Sequence, residues 1–298
     1  MHLVKIFLNQ YRYRSSFARV CFWIILRVKK RFKIGFSDNR PENSSVDIVI
    51  PTILKDFELL NLLLESLRFL QHRVGRIYIV SPRTDLILKF CSENSCIYID
   101  ELSVLGFGKE KIVYRVNERD RSGWLFQQLL KLSGELFVES DNYIVVDSDT
   151  VFLNYNKFLQ DGKFVFFQNE EWHQPYFDSF KKIFGYKVSG KLSFTSHMMI
   201  LNKEMLKKMK QEIEGKHGKK WYEVYISVAT PNEQSCISDY DTYANWVLVN
   251  YPQLVIQKPF YNTSVSRKNL DSLGNLCERY SKSFKSISFH SYIDGQNG

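Results

Sequence analysis

Tyr143-Ile144-Val145-Val146-Asp147-Ser148-Asp149-Thr150-Val151-Phe152 is the stretch that decides the fold of this chain. Four apolar residues run directly into two carboxylates separated by one small residue. The apolar run has the length of a buried strand, and open α/β sheets bind ligands at their strand ends. There, Asp147 and Asp149 offer hard oxygen donors to a divalent cation, Mn²⁺ or Mg²⁺. Such a cation can bridge a diphosphate and neutralise the charge that develops on a leaving nucleoside diphosphate. The same residues also fit a solvated turn in which one aspartate caps the following segment.

Outward from this stretch the pattern alternates between strand and helix. Val46–Ile50 reads as a short buried strand ended by Pro51, and Asp56–Leu70 as a helix with leucine-rich faces. Arg76–Val80 is a second strand, stopped by Ser81-Pro82, and Ile97–Ile99 a weaker third. Ser122–Leu132 is an amphipathic helix, and Tyr143–Val146 the fourth strand. Alternation of this kind predicts an α/β fold, a Rossmann-type mixed sheet, mostly parallel and flanked by helices. Beyond residue 160 strands at 164–167, 196–200 and 254–256 mix with helices less regularly. No internal repeat interrupts the pattern.

The chain has 298 residues and a formal net charge of +9, and the location of that charge matters more than its size. Residues 1–40 hold ten bases and one acid, so the remainder is electrically balanced with 31 of each. A neutral body argues against nucleic acid as a partner and for a cationic attachment device at one end. The expected division is a basic amphipathic arm over residues 1–40 and one domain over 46–292. In the arm, Phe17–Val28 is too short and too charged to span a bilayer. As a helix it places Cys21, Phe22, Ile25 and Val28 on one face, with Arg19, Arg27, Lys30, Arg31 and Trp23 on the other. That arrangement suits an anionic membrane surface; a basic helix packed on its own domain is the plainer alternative. Five cysteines without paired spacing point to a reducing, cytoplasmic setting. The expected location is therefore the inner face of the cell membrane, held peripherally.

Four further motifs accompany the aspartates: Gly123-Trp124-Leu-Phe-Gln127-Gln128-Leu-Leu-Lys131, Ser196-His197-Met-Met, Ser238-Asp239-Tyr240, and Tyr243 with Asn245. In this order, over residues 46–292, the chain resembles the GT-A class of nucleotide-sugar glycosyltransferases. More narrowly it resembles a group of bacterial glycosyltransferases associated with surface polysaccharides. Where that group often shows Glu after the serine, this chain has Asp239. The resemblance implies a GT-A-like fold, a nucleotide-sugar donor (UDP by default) and a glycan or lipid-linked glycan acceptor. It also implies that His290 completes the metal shell begun by Asp147 and Asp149.

Taken alone, the residues admit matching roles. Pro51 and Thr52 end the first strand and can border a nucleobase or ribose. Asp56 suits a ribose or uracil contact and equally a helix N-cap. Ser81 can line the same cleft, and Ser148 and His197 count with the donor-binding residues. Gln127 and Gln128 offer hydrogen bonds to sugar hydroxyls, while Lys131 and Arg121 are candidates for the diphosphate. Trp172, next to His173, can stack on an acceptor sugar or belong to the core. If the reaction inverts the anomeric centre, a base is required; Asp239 is the first candidate and Asp241 the second. Ser238 with Asp241 also reads as a helix start.

Two rival readings use the same residues. Asp147-Ser-Asp149-Thr-Val151 fits the nucleophile motif of haloacid-dehalogenase-type phosphatases, with Asp147 attacking and Asp149 as acid. Against this, the motif ends the first strand of such domains, whereas here about a hundred residues of α/β pattern precede it. The second rival is a membrane-surface binding module whose transferase-like body is inactive.

Overall fold

A computed structural model describes residues 16–36, 41–170, 172–188, 192–230 and 232–290. Residues 1–15 and 37–40 of the expected arm, and the last two of the expected domain, lie outside the described residues, as do the side chains of Arg19 and Phe22.

The chain enters through helix α1 (Ser16–Arg31) and strand β1 (Ser45–Pro51). Helix α2 (Phe57–Ser66) follows, burying Leu59, Leu60 and Leu63, and leads to β2 (Arg73–Ser81). Helix α3 (Asp85–Glu93) starts at Thr84, whose side chain accepts the Ile87 N–H. Strand β3 (Ile97–Asp100) and short helix α4 (Glu101–Leu105) come next, then a small hairpin of β4 (Arg115–Val116) and β5 (Arg119–Asp120). Helix α5 (Ser122–Lys131) precedes β6 (Asn142–Val146) and β7 (Thr150–Phe152). Strands β8 (Leu159–Gln160) and β9 (Lys163–Gln168) form a hairpin, followed by α6 (Gln174–Phe184) and β10 (Met198–Asn202). Helices α7 (Lys203–His217), α8 (Trp221–Val228) and α9 (Asp239–Asn250) come before β11 (Val255–Pro259) and β12 (Asn262–Val265). Helix α10 (Leu273–Tyr280) and β13 (Ser286–Phe289) end the described chain.

The central sheet has the order β10-β6-β1-β2-β3. Its first four strands in sequence are parallel and β10 is antiparallel to β6, so the mixed, mostly parallel α/β class expected from the alternation is the one observed. Parallel strands buried on both faces read as continuous apolar runs, and Ile48–Ile50 and Tyr143–Val146 are almost wholly inaccessible. Within this sheet Asp47 is a buried acid: Arg76, Glu139 and Ser140 donate their backbone N–H groups to its carboxylate. Gly75 lies across from it because a Cβ there would sit 2.5 Å from Asp47 Oδ1.

Two smaller sheets extend the body, β11-β9-β8 and β12-β13-β7. The second rests on its own apolar cluster, in which Val151, Ile287 and Phe289 pack with Leu273 and Leu276 of α10 and Leu59 of α2. The chain therefore changes sheets at Asp147–Asp149, between β6 of the central sheet and β7 of the small one.

The arm is docked on the body over its described part. Leu26 and Phe36 are buried. Tyr261 donates its hydroxyl to the Lys29 carbonyl at 3.0 Å, and the ring of Phe36 meets that of Tyr261 edge-on at 5.0 Å. Arg27, expected among the headgroup-facing bases, instead donates to Glu170 at 2.6 Å and lies over the Trp23 ring. The face composed of Ile24, Ile25, Val28 and Phe32 is left in solvent.

Candidate active site

The carboxyl ends of β1, β2 and β6 lie on one edge of the central sheet, since all three run parallel. Pro51, Thr52 and Ser81 are buried there, with the Thr52 N–H donating to the Val80 carbonyl. Asp147 leaves β6 at the same edge.

Two antiparallel pairings bracket the aspartates. On one side Met198 pairs with Val146, so His197 falls opposite Asp147. The Asp147 N–H donates to the His197 carbonyl at 2.8 Å, and His197 Nδ1 is 3.3 Å from Asp147 Oδ2. His197 has φ +58°, a left-handed conformation uncommon outside glycine and a local cost of about 1–3 kcal/mol. On the other side Ser288 pairs with Thr150, and the Phe289 N–H donates to the Asp149 carbonyl at 2.8 Å. That register delivers His290 to Asp149, with Nδ1 3.2 Å from Oδ2 across 141 residues of sequence. The two imidazole rings are 5.0 Å apart.

Behind the aspartates lies a buried ammonium. Lys131 is the last residue of α5, and its Nζ is 2.5 Å from Asp147 Oδ1 and 3.6 Å from Asp239 Oδ2. Tyr240 donates its hydroxyl to Asp147 Oδ1 at 2.8 Å, and its ring lies 4.6 Å from the ammonium. Gln128, one turn earlier on α5, accepts the Asp239 N–H at the start of α9. The glutamine-lysine motif and the Ser238-Asp239-Tyr240 motif thus meet at Asp147.

Electrostatics follow from this packing. Burial pulls the Lys131 ammonium toward lower pKa, but Asp147 and Asp239 more than reverse it, so the net shift is upward. Burial likewise acts to raise Asp147, yet Lys131 and His197 hold it well below the ordinary carboxylate range. Asp239 is pushed up to about 6 by burial, Lys131 opposing and Asp147 reinforcing the rise. One ammonium thus lies between two carboxylates, Asp147 and Asp239, with Asp149 adding to the negative field around it.

Other residues singled out in the sequence stand at varied distances from this centre. Asp56 makes no capping bond. Its carboxylate instead accepts from the Ser148 hydroxyl at 3.0 Å and from the guanidinium of Arg267. Ser148 therefore points inward and fixes the turn between the two aspartates. Arg267 also donates to the carbonyls of Lys55 and Phe289, tying the start of α2 to the strand that carries His290. Nothing in the sequence marked Arg267, a lone arginine in a polar segment.

Asp241 is held away from the centre. It accepts from Ser193, Thr195 and the Phe194 N–H, an arrangement that shapes the 193–195 loop, while burial still raises its pKa. Ser238 caps α9 by accepting the Asp241 N–H. Arg121 donates to the Gln234 carbonyl at 2.9 Å and stacks over Trp124, so its guanidinium is engaged by the 233–236 loop and by its own helix. Gln127 is half-buried, one step around α5 from Gln128. Trp172 is 43% exposed and stacks on Phe177, which excludes a core role. His173 bonds the Ser235 carbonyl at 2.8 Å.

Among the described residues, no three His, Cys, Asp or Glu side chains converge as a metal cage. The donors stand as two carboxylate–imidazole pairs. Their chemistry, hard oxygen and borderline nitrogen beside surplus negative charge, fits Mn²⁺ or Mg²⁺.

Fold and site together define an α/β protein with a carboxylate–imidazole–ammonium centre at the carboxyl edge of its sheet. The chain belongs to the family described as "Family of unknown function (DUF6492)", whose model matches residues 43–273. No curated protein matches it by sequence. Among solved structures, the apo form of mouse xyloside xylosyltransferase 1 is similar with a TM-score of 0.47 and 11% identity, over 83% of this chain and 98% of that one. The galactosyltransferase LgtC, in complex with donor and acceptor sugar analogues, is similar with a TM-score of 0.44 and 12% identity, over 82% of this chain and 87% of that one.

Proposed function

We propose that this protein is a GT-A-type glycosyltransferase that moves a sugar from a nucleotide-sugar donor, UDP-linked by default, to a glycan or lipid-linked glycan acceptor in surface-polysaccharide synthesis at the cytoplasmic face of a membrane. The observation that carries this reading is the double pairing at the sheet switch. Asp147 and Asp149 leave a buried strand, and each is met by an imidazole, His197 and His290, delivered by a separate strand.

In this proposal Asp149, His290 and Asp147 hold Mn²⁺ or Mg²⁺, which when bound neutralises charge on the donor diphosphate. Lys131 and Tyr240 keep Asp147 ionised and fixed in direction. Ser148, Asp56 and Arg267 hold the turn between the two carboxylates. Pro51, Thr52 and Ser81 form the floor of the nucleotide cleft at the neighbouring strand ends. Gln127, on the more open side of α5, contacts donor hydroxyls, and Trp172 offers its exposed ring to the acceptor. Asp239 helps balance the charge around Lys131 and, with a pKa near 6, is ionised at neutral pH, as a base must be.

A thermal-shift panel of nucleotides and nucleotide sugars, with and without Mn²⁺, tests this. A true ligand at a hundredfold excess over its Kd adds about 2.7 kcal/mol of apparent stability, and here the gain should require both nucleotide and metal. Release of phosphate from simple phosphomonoesters, without any nucleotide sugar, would instead establish the phosphatase chemistry.

A further inference from the structure

The small sheet β12-β13-β7, which delivers His290, is buried on both faces and the two faces differ in chemistry. On one side Val151, Ile287 and Phe289 pack into the apolar cluster of α2 and α10. The opposite side carries Thr150, Ser286 and Ser288, which are as inaccessible as the apolar set, at 0%, 1% and 0% exposure. Buried hydroxyls are costly unless hydrogen-bonded, so each of these needs a partner inside the protein.

The partners are one another. Ser288 lies opposite Thr150 in the register, and their hydroxyl oxygens are 3.0 Å apart. Asn262 of β12, half-buried, donates Nδ2 to Ser288 Oγ at 3.3 Å and accepts the Ser286 hydroxyl through Oδ1 at 2.7 Å. At the other end the Thr150 hydroxyl donates to Asp149 Oδ1 at 3.5 Å. The two ends fix the order of the protons, because an amide nitrogen only donates and a carboxylate only accepts. Asn262 therefore donates to Ser288, Ser288 to Thr150 and Thr150 to Asp149. The second oxygen of that carboxylate, Oδ2, is the one that meets His290.

We infer that Asn262, Ser288 and Thr150 are positioning residues, whose hydrogen-bond ladder locks β13 against β7 and so seats His290 on Asp149. Alternation of apolar and polar residues excludes a slip of one residue, which would turn Ser286 and Ser288 into the apolar cluster. A slip of two residues keeps every side chain on its own face, so specific bonds must exclude it. Such a slip would carry His290 roughly 7 Å along the strand, and Ser288 would no longer join Asn262 to Thr150. Asp149 directly precedes Thr150 and His290 follows Ser288 by two residues, so one lock sets both members of the pair. The register stands on the geometry by itself; that the seated pair holds a metal rests on the transferase reading proposed above.

Amide hydrogen exchange, followed by NMR on the metal-free full chain, tests the lock. The Phe289 N–H, which donates to the Asp149 carbonyl, reports the pairing, and the Ile144 and Val145 amides of β6 report the fold. Thr150→Val keeps the shape and removes the hydroxyl, whereas Thr150→Ser keeps the hydroxyl and removes a methyl. Exchange at Phe289 should quicken at least about tenfold in Thr150→Val and in Asn262→Ala, and stay near the wild-type rate in Thr150→Ser, with β6 unchanged throughout. Affinity for Mn²⁺ alone, read from the electron paramagnetic resonance of the unbound ion, should fall about tenfold in the first two variants and hold in the third. Packing alone predicts the reverse order for the two Thr150 variants, because the methyl is what fills space. Phe289 protection that survives Thr150→Val, or that is lost equally in Thr150→Ser, overturns the inference. A wild type that takes up no Mn²⁺ overturns the metal reading, while exchange still decides the ladder.

Discussion

Replacing Lys131 with Met removes the buried ammonium and leaves Asp147 and Asp239 facing each other. At an effective dielectric of about 20, contacts at 2.5 and 3.6 Å are worth roughly 7 and roughly 5 kcal/mol before desolvation is counted. Desolvation of the ions offsets much of this, and removing one partner of such a buried set costs about 3–5 kcal/mol. The loss is a large share of the ordinary stability of a domain, about 5–15 kcal/mol. Its dependence on pH is more diagnostic than its size. Without Lys131 the folded-state pKa of Asp239 rises further above its unfolded value. A carboxylate raised in this way contributes fully below its unfolded pKa, and the contribution is lost as pH rises through the folded value. The deficit of Lys131→Met should therefore be greatest near about pH 8 and shrink toward about pH 5. Urea denaturation followed by circular dichroism at several pH values measures it. Asp239→Asn in the same background should recover part of the loss. A deficit under about 1 kcal/mol, or one that does not change with pH, refutes the charge balance described here.

Other residues give independent tests. His290→Ala removes one donor from the proposed metal set and should lower Mn²⁺ affinity, measured calorimetrically with UDP present, by at least about tenfold. His72 accepts the Phe158 N–H through Nε2, and burial first, then Lys157, lower its pKa to about 4. Its contribution is complete above the unfolded value near 6.5 and lost as pH falls through 4, worth about 3 kcal/mol; His72→Phe should flatten stability across that window. Gly75→Ala puts a methyl 2.5 Å from Asp47 Oδ1, a carboxylate that three backbone donors prevent from yielding, so about 1–3 kcal/mol should be lost in urea denaturation.

The central sheet was legible because its strands are mostly unbroken apolar runs between turn signals, as in Val46–Ile50 and Tyr143–Val146. The strands that complete the site were not. Thr150–Phe152 and Ser286–Phe289 are three and four residues long, and such pieces carry no usable periodicity. His290 could be tied to the aspartates by resemblance, but the register that brings it there is a tertiary fact. Arg267 was invisible for a related reason, since Lys55 and Asp56, which it joins to the Phe289 carbonyl, lie more than 200 residues earlier in the chain. Lys131 was read as a diphosphate contact because a lysine beside two glutamines invites a ligand. Its burial depends on α5 ending under both β6 and α9, which spacing along one helix does not reveal.

The arm shows the same limit from the other direction. Its composition gave the apolar and basic faces, and the free face does contain Ile25 and Val28. What composition could not give is that the opposite side is held by Leu26, Arg27, Lys29 and Phe36 against Glu170 and Tyr261. A tethered, mobile arm would set only how often the body visits a membrane. Under the proposed membrane-side function, an arm packed onto the strand beside the catalytic candidates would also set how the body is turned. For an acceptor whose growing end lies close to lipid, that orientation decides whether the acceptor hydroxyl can reach the donor at all. Variants of the outward face should therefore depress transfer to a lipid-linked acceptor while leaving transfer to a soluble glycan fragment unchanged. Equal losses on both acceptors would show that the face acts through the fold and not through orientation.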